Sequence, residues 1–265
     1  MNFDPRAPSL ITFTTDFGGG WYVGAMKGAV LRVNPRAAIV DISHGIAGMN
    51  VIEGAFGLAA ASGAFPEGTV HVAVVDPGVG MARRGLVIET DRFRFVGPDN
   101  GVLTLAAPAP SVRRVFAIED TRFFEADPSP TFHGRDVFAP VAAHLTLGVD
   151  PAEMGPPASD LVALAWPRTS TDGEALAGEI LFADSFGNLV TNIPGDRARA
   201  AAGAEVWAGG RRIGPIERTY GEVPRGEPVA LVGSHGFVEI ALHGRSARER
   251  LGLARGARVE VRRPG

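Results

Sequence analysis

The sequence predicts an α/β protein in two parts, an N-terminal domain built on a largely parallel sheet and a smaller all-β domain after it. Three observations carry this. Apolar runs alternate with helical patterns over residues 9–76, the stretch 156–174 is crowded with Pro, Ser, Thr and Asp, and the remainder breaks into short strand-like runs between Gly and Pro. With 265 residues, 45% of them hydrophobic, the chain is long enough for one large core or two smaller ones.

In chain order, LITFTTD, AAIVD and VHVAVVD end in Asp16, Asp41 and Asp76 and read as buried parallel strands. Between them lie two helical faces, Val23, Met26, Val30 and Leu31, stopped by Asn34-Pro35, and Ile52, Ala55, Phe56 and Ala59. Ligands of open α/β sheets bind beyond the carboxyl ends of the strands, so Asp16 and Asp76 stand where chemistry is usually placed. LVIE and FRFV flank a polar turn, and PDNG at 98–101 leads into VLTL, which predicts hairpin additions to the sheet. A further helix runs from about Val137 to Leu147, with Pro140 near its first turn, where a missing N–H costs least. We place the α/β domain at 1–160, a linker at 161–174 and the β domain at 175–265. In the last, GEILFA, LVTNI, EVWAG, PVALVG, FVEIAL and ARVEV predict a small antiparallel barrel or sandwich.

Composition excludes several functions. A net charge of −3 gives no footprint for nucleic acid, and the basic pair Arg262-Arg263 reads as a solvated tail. The absence of cysteine removes disulfides, thiolate metal sites and cysteine nucleophiles. The opening MNFDPRAPS lacks a basic and apolar signal and no run of about 18 apolar residues occurs, so the expectation is a cytoplasmic protein without membrane association. Gly18, Gly19 and Gly20 follow a strand, but Val23 stands where a dinucleotide fingerprint needs its third glycine. No two of the six histidines have metal-ligand spacing on one predicted helix, so neither metal nor cofactor is expected.

Several motifs carry candidate chemistry. VVDPGVG with Arg83 and Arg84 sets a carboxylate at a strand end and cations beyond a tight loop, although Asp-Pro-Gly alone is also ordinary turn chemistry. TFHGRD reads as a second loop aimed at the same crevice, with His133 flanked by Gly134 and two charges, although a lone His is also an ordinary surface or satisfied core residue. In the second domain DSFGNLVTNI offers Asp184, Phe186 and Asn188, whose carboxamide can donate and accept as an adenine edge requires, and Tyr220 can stack on a base. GSHGFVEIAL adds Ser234 and Glu239 within an apolar strand.

Taken together, TTDFG, DISH, VVDPGVG, PDNG, TFHGRD, DSFGN with TNI, and SHGFVEIAL resemble, in this order, the S-adenosyl-L-methionine (SAM) hydroxide adenosyltransferase family, related to the fluorinating and chlorinating SAM enzymes. The match runs from about residue 9 to 243. The resemblance implies a Rossmann-like α/β/α domain carrying the catalytic loops, a β-barrel domain, and a homotrimer with active sites between neighbouring subunits. It implies cofactor-free hydrolysis of SAM by water attack at ribose C5′, releasing adenosine and L-methionine. By the same resemblance Asp16 holds the ribose hydroxyls, Asp76, Arg83 and His133 form the hydrolytic triad, and Thr131 and Phe132 line the ribose pocket. Asp184 and Ser234 resemble the methionine-binding residues, Asn188 and Tyr220 the adenine-binding ones, with Phe186 and Glu239 beside them. The halogenating branch has Tyr at the position of Asp76 and Arg at that of His235, which argues against halide chemistry and leaves carboxylate recognition open. The alternatives are a nucleoside halide synthase and a non-catalytic SAM-binding module.

Overall fold

The computed structural model describes residues 9–173, 175–200 and 203–263. Residues 1–8, read above for a targeting signal, and Glu174, which closes the predicted linker, lie outside the described residues. The chain divides into two compact units, Met1–Ala165 and Trp166–Gly265.

The first unit is a six-stranded sheet between helices. β1 (Leu10–Thr15), β2 (Ala38–Ser43) and β3 (Val70–Val74) are joined by α1 (Trp21–Val33) and α2 (Val51–Ser62). β4 (Gly85–Thr90) and β5 (Arg94–Pro98) form a hairpin, β6 (Val112–Ala117) follows, and α3 (Ala139–Thr146) comes after a π-helical turn at Gly134–Phe138. The order is β2-β1-β3-β5-β4-β6, with β2, β1, β3 and β5 parallel and the β4 pairings antiparallel. Alternation along the strands builds two cores. Ile11, Phe13, Val72 and Val74 join Met26 of α1 and Val141 of α3 on one face, while Ala73, Ile88 and Phe95 join Leu58 of α2 on the other. Phe13, Phe95 and Phe138 are fully buried, each worth about 1.5–3 kcal/mol of transfer free energy.

Three expectations need correction here. AAIVD does form a parallel strand, β2, but as a sheet edge paired only with β1 it is exposed or half-buried and not buried, with Val40 41% exposed. VLTL, expected as a strand, forms successive turns, because Asn100 Oδ1 accepts the Val102 N–H at 3.1 Å and the Gly101 carbonyl accepts Thr104 N–H at 3.2 Å. These local bonds engage backbone groups that a strand would turn to a neighbour. Arg262 is no loose tail but lies in the last strand of the second unit, its guanidinium 4.0 Å from the Trp207 ring centroid.

The second unit holds β7 (Ser170–Asp172), β8 (Ala175–Ala183), β9 (Leu189–Pro194), α4 (Gly195–Arg199), β10 (Glu205–Ala208), β11 (Arg211–Glu217), β12 (Pro228–Val232), β13 (Phe237–Leu242), α5 (Ala247–Leu251) and β14 (Arg258–Arg262). Its strands run β14-β10-β11-β12-β13-β9-β8-β7, and β14 also pairs with β8, which closes a seven-stranded barrel and leaves β7 as an addition to β8. Closure removes the open edges that a sandwich would retain. The pairings are antiparallel except for β11 with β12. Ile180, Leu189, Val206, Val238, Ile240 and Val259 fill the interior.

Candidate active site

The carboxyl ends of β1 and β3 open into a cavity of about 350 Å³ lined by Asp16, Phe17, Tyr22, Met49, Asp76, Val79, Thr131, Phe132 and His133, among others. Asp16 follows β1 directly and Asp76 stands two residues beyond β3, as expected for a site above such a sheet.

Asp76 is held from three sides. Its carboxylate accepts from Arg83 Nε at 2.9 and 3.1 Å and from Arg83 Nη2, and Oδ1 also accepts the Gly78 N–H at 3.2 Å. One residue earlier, the Val75 carbonyl accepts from Asn100 Nδ2 at 2.9 Å, so the PDNG segment braces the strand end that carries Asp76. Arg83 Nη2 also lies 2.6 Å from His133 Nδ1. A guanidinium only donates, so His133 Nδ1 accepts and the neutral ring keeps its proton on Nε2. Burial, reinforced by the Arg83 charge, lowers the His133 pKa below its ordinary value, although Asp76 and Asp136 pull the other way.

Two loops meet to make this contact. Gly80, at φ +74°, packs so tightly against the Pro130 carbonyl that a Cβ would overlap it. On the other loop Asp136 accepts Ser129 N–H at 2.9 Å; burial disfavours its charge, but Arg135 and this N–H outweigh that and lower its pKa.

Asp16 Oδ2 accepts the Met49 N–H at 2.8 Å. Met49 has φ +62°, the one non-glycine residue with positive φ in the structure described, and it precedes the helix cap Asn50, whose side chain accepts Glu53 N–H at 3.4 Å. Phe132 packs edge-on against Phe17, Tyr22 and Trp21 at centroid separations of 5.8, 5.3 and 6.3 Å. Sequence reading missed Phe17, Tyr22, Met49 and Val79 as cavity residues. Phe17 and Tyr22 flank the glycine run after β1 and were findable there, whereas Met49 reaches Asp16 across 33 positions with no sequence signal.

On the barrel, the candidates form two clusters. Asp184 Oδ1 accepts the N–H groups of Phe186 at 2.9 Å and Asn188 at 2.8 Å, and Oδ2 accepts Asn188 Nδ2 at 3.0 Å. Asn188 is buried by this loop while Phe186 is exposed. Tyr220 donates to Glu239 Oε1 at 2.8 Å, and His235 Nε2 lies 3.1 Å from Glu239 Oε2. Ser234 is exposed beside His235. Among the described residues no three His, Cys, Asp or Glu side chains are arranged to hold a metal.

Comparison with known proteins decides the relationship. A family model described as the SAM hydroxide adenosyltransferase N-terminal domain matches residues 11–155, and the C-terminal domain model of the same family matches 178–260. The chain belongs to this family. A SAM hydroxide adenosyltransferase relative from Thermus thermophilus, named (R)-S-adenosyl-L-methionine hydrolase, is 43% identical over 261 residues, covering 95% of this chain and 98% of its own. A fluorinase from Actinoplanes sp. is 29% identical over 268 residues, covering 88% of this chain and 90% of its own. The fold of this SAM hydroxide adenosyltransferase family member matches the crystal structure of an uncharacterized conserved protein from Thermotoga maritima with a TM-score of 0.87 at 37% identity, covering 96% of this chain and all of that one.

Proposed function

We propose that this protein hydrolyses SAM to adenosine and L-methionine by direct attack of water on ribose C5′. The observation that carries this reading is the Asp76–Arg83–His133 contact set into the cavity that Asp16 also lines. SAM supplies its own activation, since a sulfonium leaves as a neutral thioether. What the protein has to contribute is an aligned water, a place for its proton, and exclusion of bulk solvent.

The water would sit between Asp76 and His133. With Nδ1 accepting from Arg83, neutral His133 offers Nε2–H as a donor to the water oxygen, and the Asp76 carboxylate accepts one water proton. The C5′–O bond forms as the C5′–S bond breaks. The electron pair leaves with the methionine sulfur, and the water proton passes to Asp76 and then to solvent. Arg83 fixes the spacing of both partners and offsets the carboxylate charge. Asp16 would take the ribose hydroxyls, with Thr131 and Phe132 closing the sugar pocket. On the barrel, Asp184 and Ser234 would hold the methionine end, and Asn188, Phe186 and Tyr220 the adenine, with Glu239 beside them.

The same reading has a cytoplasmic homotrimer, in which the cavity of one subunit is completed by the barrel rim of its neighbour. The exposed Phe186 and Tyr220 on the barrel and the exposed Trp21, Met49 and Met81 on the first unit support it, as apolar surface that an interface would cover. We divide the chain at 161–174, between an α/β domain at 1–160 and a barrel domain at 175–265, a division that the compact units meeting at Ala165 and Trp166 support.

The test is incubation with SAM in halide-free buffer and chromatography for adenosine. Adenosine formed in step with methionine is the expected result. Product only when chloride or fluoride is added would make the protein a nucleoside halide synthase, and tight SAM binding without turnover would make it a binding module.

A further inference from the structure

Glu239 lies in β13, between Leu231 of β12 and Val190 of β9 in the sheet register, and is only 4% exposed. A carboxylate in such a position is costly unless each oxygen meets a donor. Both do. Oε1 accepts from the Tyr220 hydroxyl at 2.8 Å, and Oε2 faces His235 Nε2 at 3.1 Å. The direction of the second bond follows from a third, because the Phe237 N–H donates to His235 Nδ1 at 3.2 Å and so leaves the neutral ring's proton on Nε2. The two donors come from separate connections, a short 3-10 turn at Tyr220–Glu222 and the turn joining β12 to β13. Gly233 shows how closely the second turn is drawn in, since a Cβ there would stand 2.9 Å from Glu239 Oε2 and nearer still to His235 Nε2.

We propose that Glu239 is a positioning residue, a buried carboxylate that ties the Tyr220 turn and the Ser234–His235 turn into one rigid rim and thereby sets substrate affinity without touching the reacting atoms. The proposal rests on the reading that this rim receives SAM. Its hydrogen bonds decide what each rim residue can offer. The Tyr220 hydroxyl is committed to Glu239, so Tyr220 presents its ring, 44% exposed, as a stacking face and not as a donor. Burial, then Glu239 and Asp184, push its phenol up to about 12, so it stays a donor to Glu239 throughout the working pH range. His235 has both ring nitrogens engaged within its own turn and strand, which leaves the adjacent Ser234 to meet the methionine carboxylate.

Glu239→Gln tests this because the shapes match and the hydrogen bonds do not. An amide has one acceptor and one donor group, so it can accept from His235 Nε2–H only if the Tyr220 hydroxyl turns and accepts from the amide N–H, and both turns exchange a charge-assisted bond for a weaker or reversed one. Hydrogen exchange on the ligand-free protein reads the tether itself. In Glu239→Gln the segments 218–223 and 233–237 are expected to lose protection together, by about ten-fold, while β1 and β3 keep theirs. Tyr220→Phe, which removes one oxygen from a half-exposed side chain, is expected to loosen 218–223 alone.

In steady-state assays the KM for SAM is expected to rise about ten-fold in Glu239→Gln, with kcat within about two-fold, and the double variant to be no worse than Glu239→Gln. Unchanged exchange at both turns, or a fall in kcat at constant KM, would overturn the proposal. Should Glu239→Gln not fold, Tyr220→Phe decides it, since unchanged protection of 218–223 together with unchanged KM is fatal. Wild-type protein that forms no adenosine defeats the functional reading instead, and the exchange result still judges the tether.

Discussion

Arg83 serves two acceptors that line the cavity, and this sets different demands on Asp76 and His133. Asp76→Asn keeps the side-chain shape but removes the charge that accepts the water proton, so kcat is expected to fall by about 10²–10⁴-fold with a much smaller change in KM. His133→Ala should fall comparably, and the double variant less than additively, because both groups act on one water. Stopped assays with adenosine quantified by chromatography, on variants checked by thermal melting, measure this. Full kcat in Asp76→Asn would return Asp76 to the role of a turn residue. The Met49 backbone invites a second test. A non-glycine residue in the left-handed region carries strain of about 1–3 kcal/mol. Met49→Val, branched at Cβ, is expected to destabilise the fold by about 1–2 kcal/mol in urea titration, whereas Met49→Gly relieves the conformation and leaves stability equal or higher.

At the scale of elements, the pairing of β1 with β3 makes stability sensitive to acid. His71 is fully buried among Phe65, Phe93 and Phe95, with Nδ1 2.7 Å from Thr12 Oγ1, and burial pushes its pKa down to about 4. Between pH 6.5 and 4 the unfolded chain binds a proton that the folded chain does not. Stability is therefore complete above pH 6.5 and declines as pH falls, with roughly 3 kcal/mol lost by pH 4. Thr12→Val with His71→Leu removes both partners and should flatten this part of the profile, read as melting temperature against pH; an unchanged slope would show that other groups set it.

The same elements show what was legible in the sequence. β1, β3 and β4 read plainly as apolar runs because both of their faces are covered. β6 was missed, since it carries Arg113 and Arg114 paired to Asp91 and Glu89, and β11 was missed because Gly214 and Pro215 interrupt it where its pairing shifts register. Asp16, Asp76 and His133 could be singled out as residue types at strand ends and glycine turns. The brace from Asn100 to Val75, the Met49 contact and the Glu239 tether depend on distant segments meeting, and no local pattern encodes them.

For the whole molecule, assembly and cofactor independence can be tested together. If the proposed trimer shares its sites, mixing Asp16→Ala chains with Asn188→Ala chains, each inactive alone, should restore a fraction of wild-type turnover, since some mixed sites carry neither lesion. Light scattering that finds a fully active monomer would refute the shared site. EDTA should leave the rate of adenosine formation unchanged, because a sulfonium leaving group needs no Lewis acid; loss of activity with rescue by a divalent ion would contradict this.

Barrel closure has a consequence for how the chain is made. β14, at residues 258–262, pairs with β8 on one side and β10 on the other, so the ring stays open until that strand is available. The first unit, by contrast, has all its strands by Ala117 and its last helix by Thr146. During synthesis at about 5–20 residues per second, it can condense while about a hundred residues of the second unit are still being added, an interval of order 5–20 s. Over that interval β8, β9, β12 and β13 are emerging with their apolar faces uncovered. A purified chain truncated near residue 250, which lacks β14, should therefore resist protease over the first unit and be cut within the second, whereas the chain that includes β14 should resist cleavage in both.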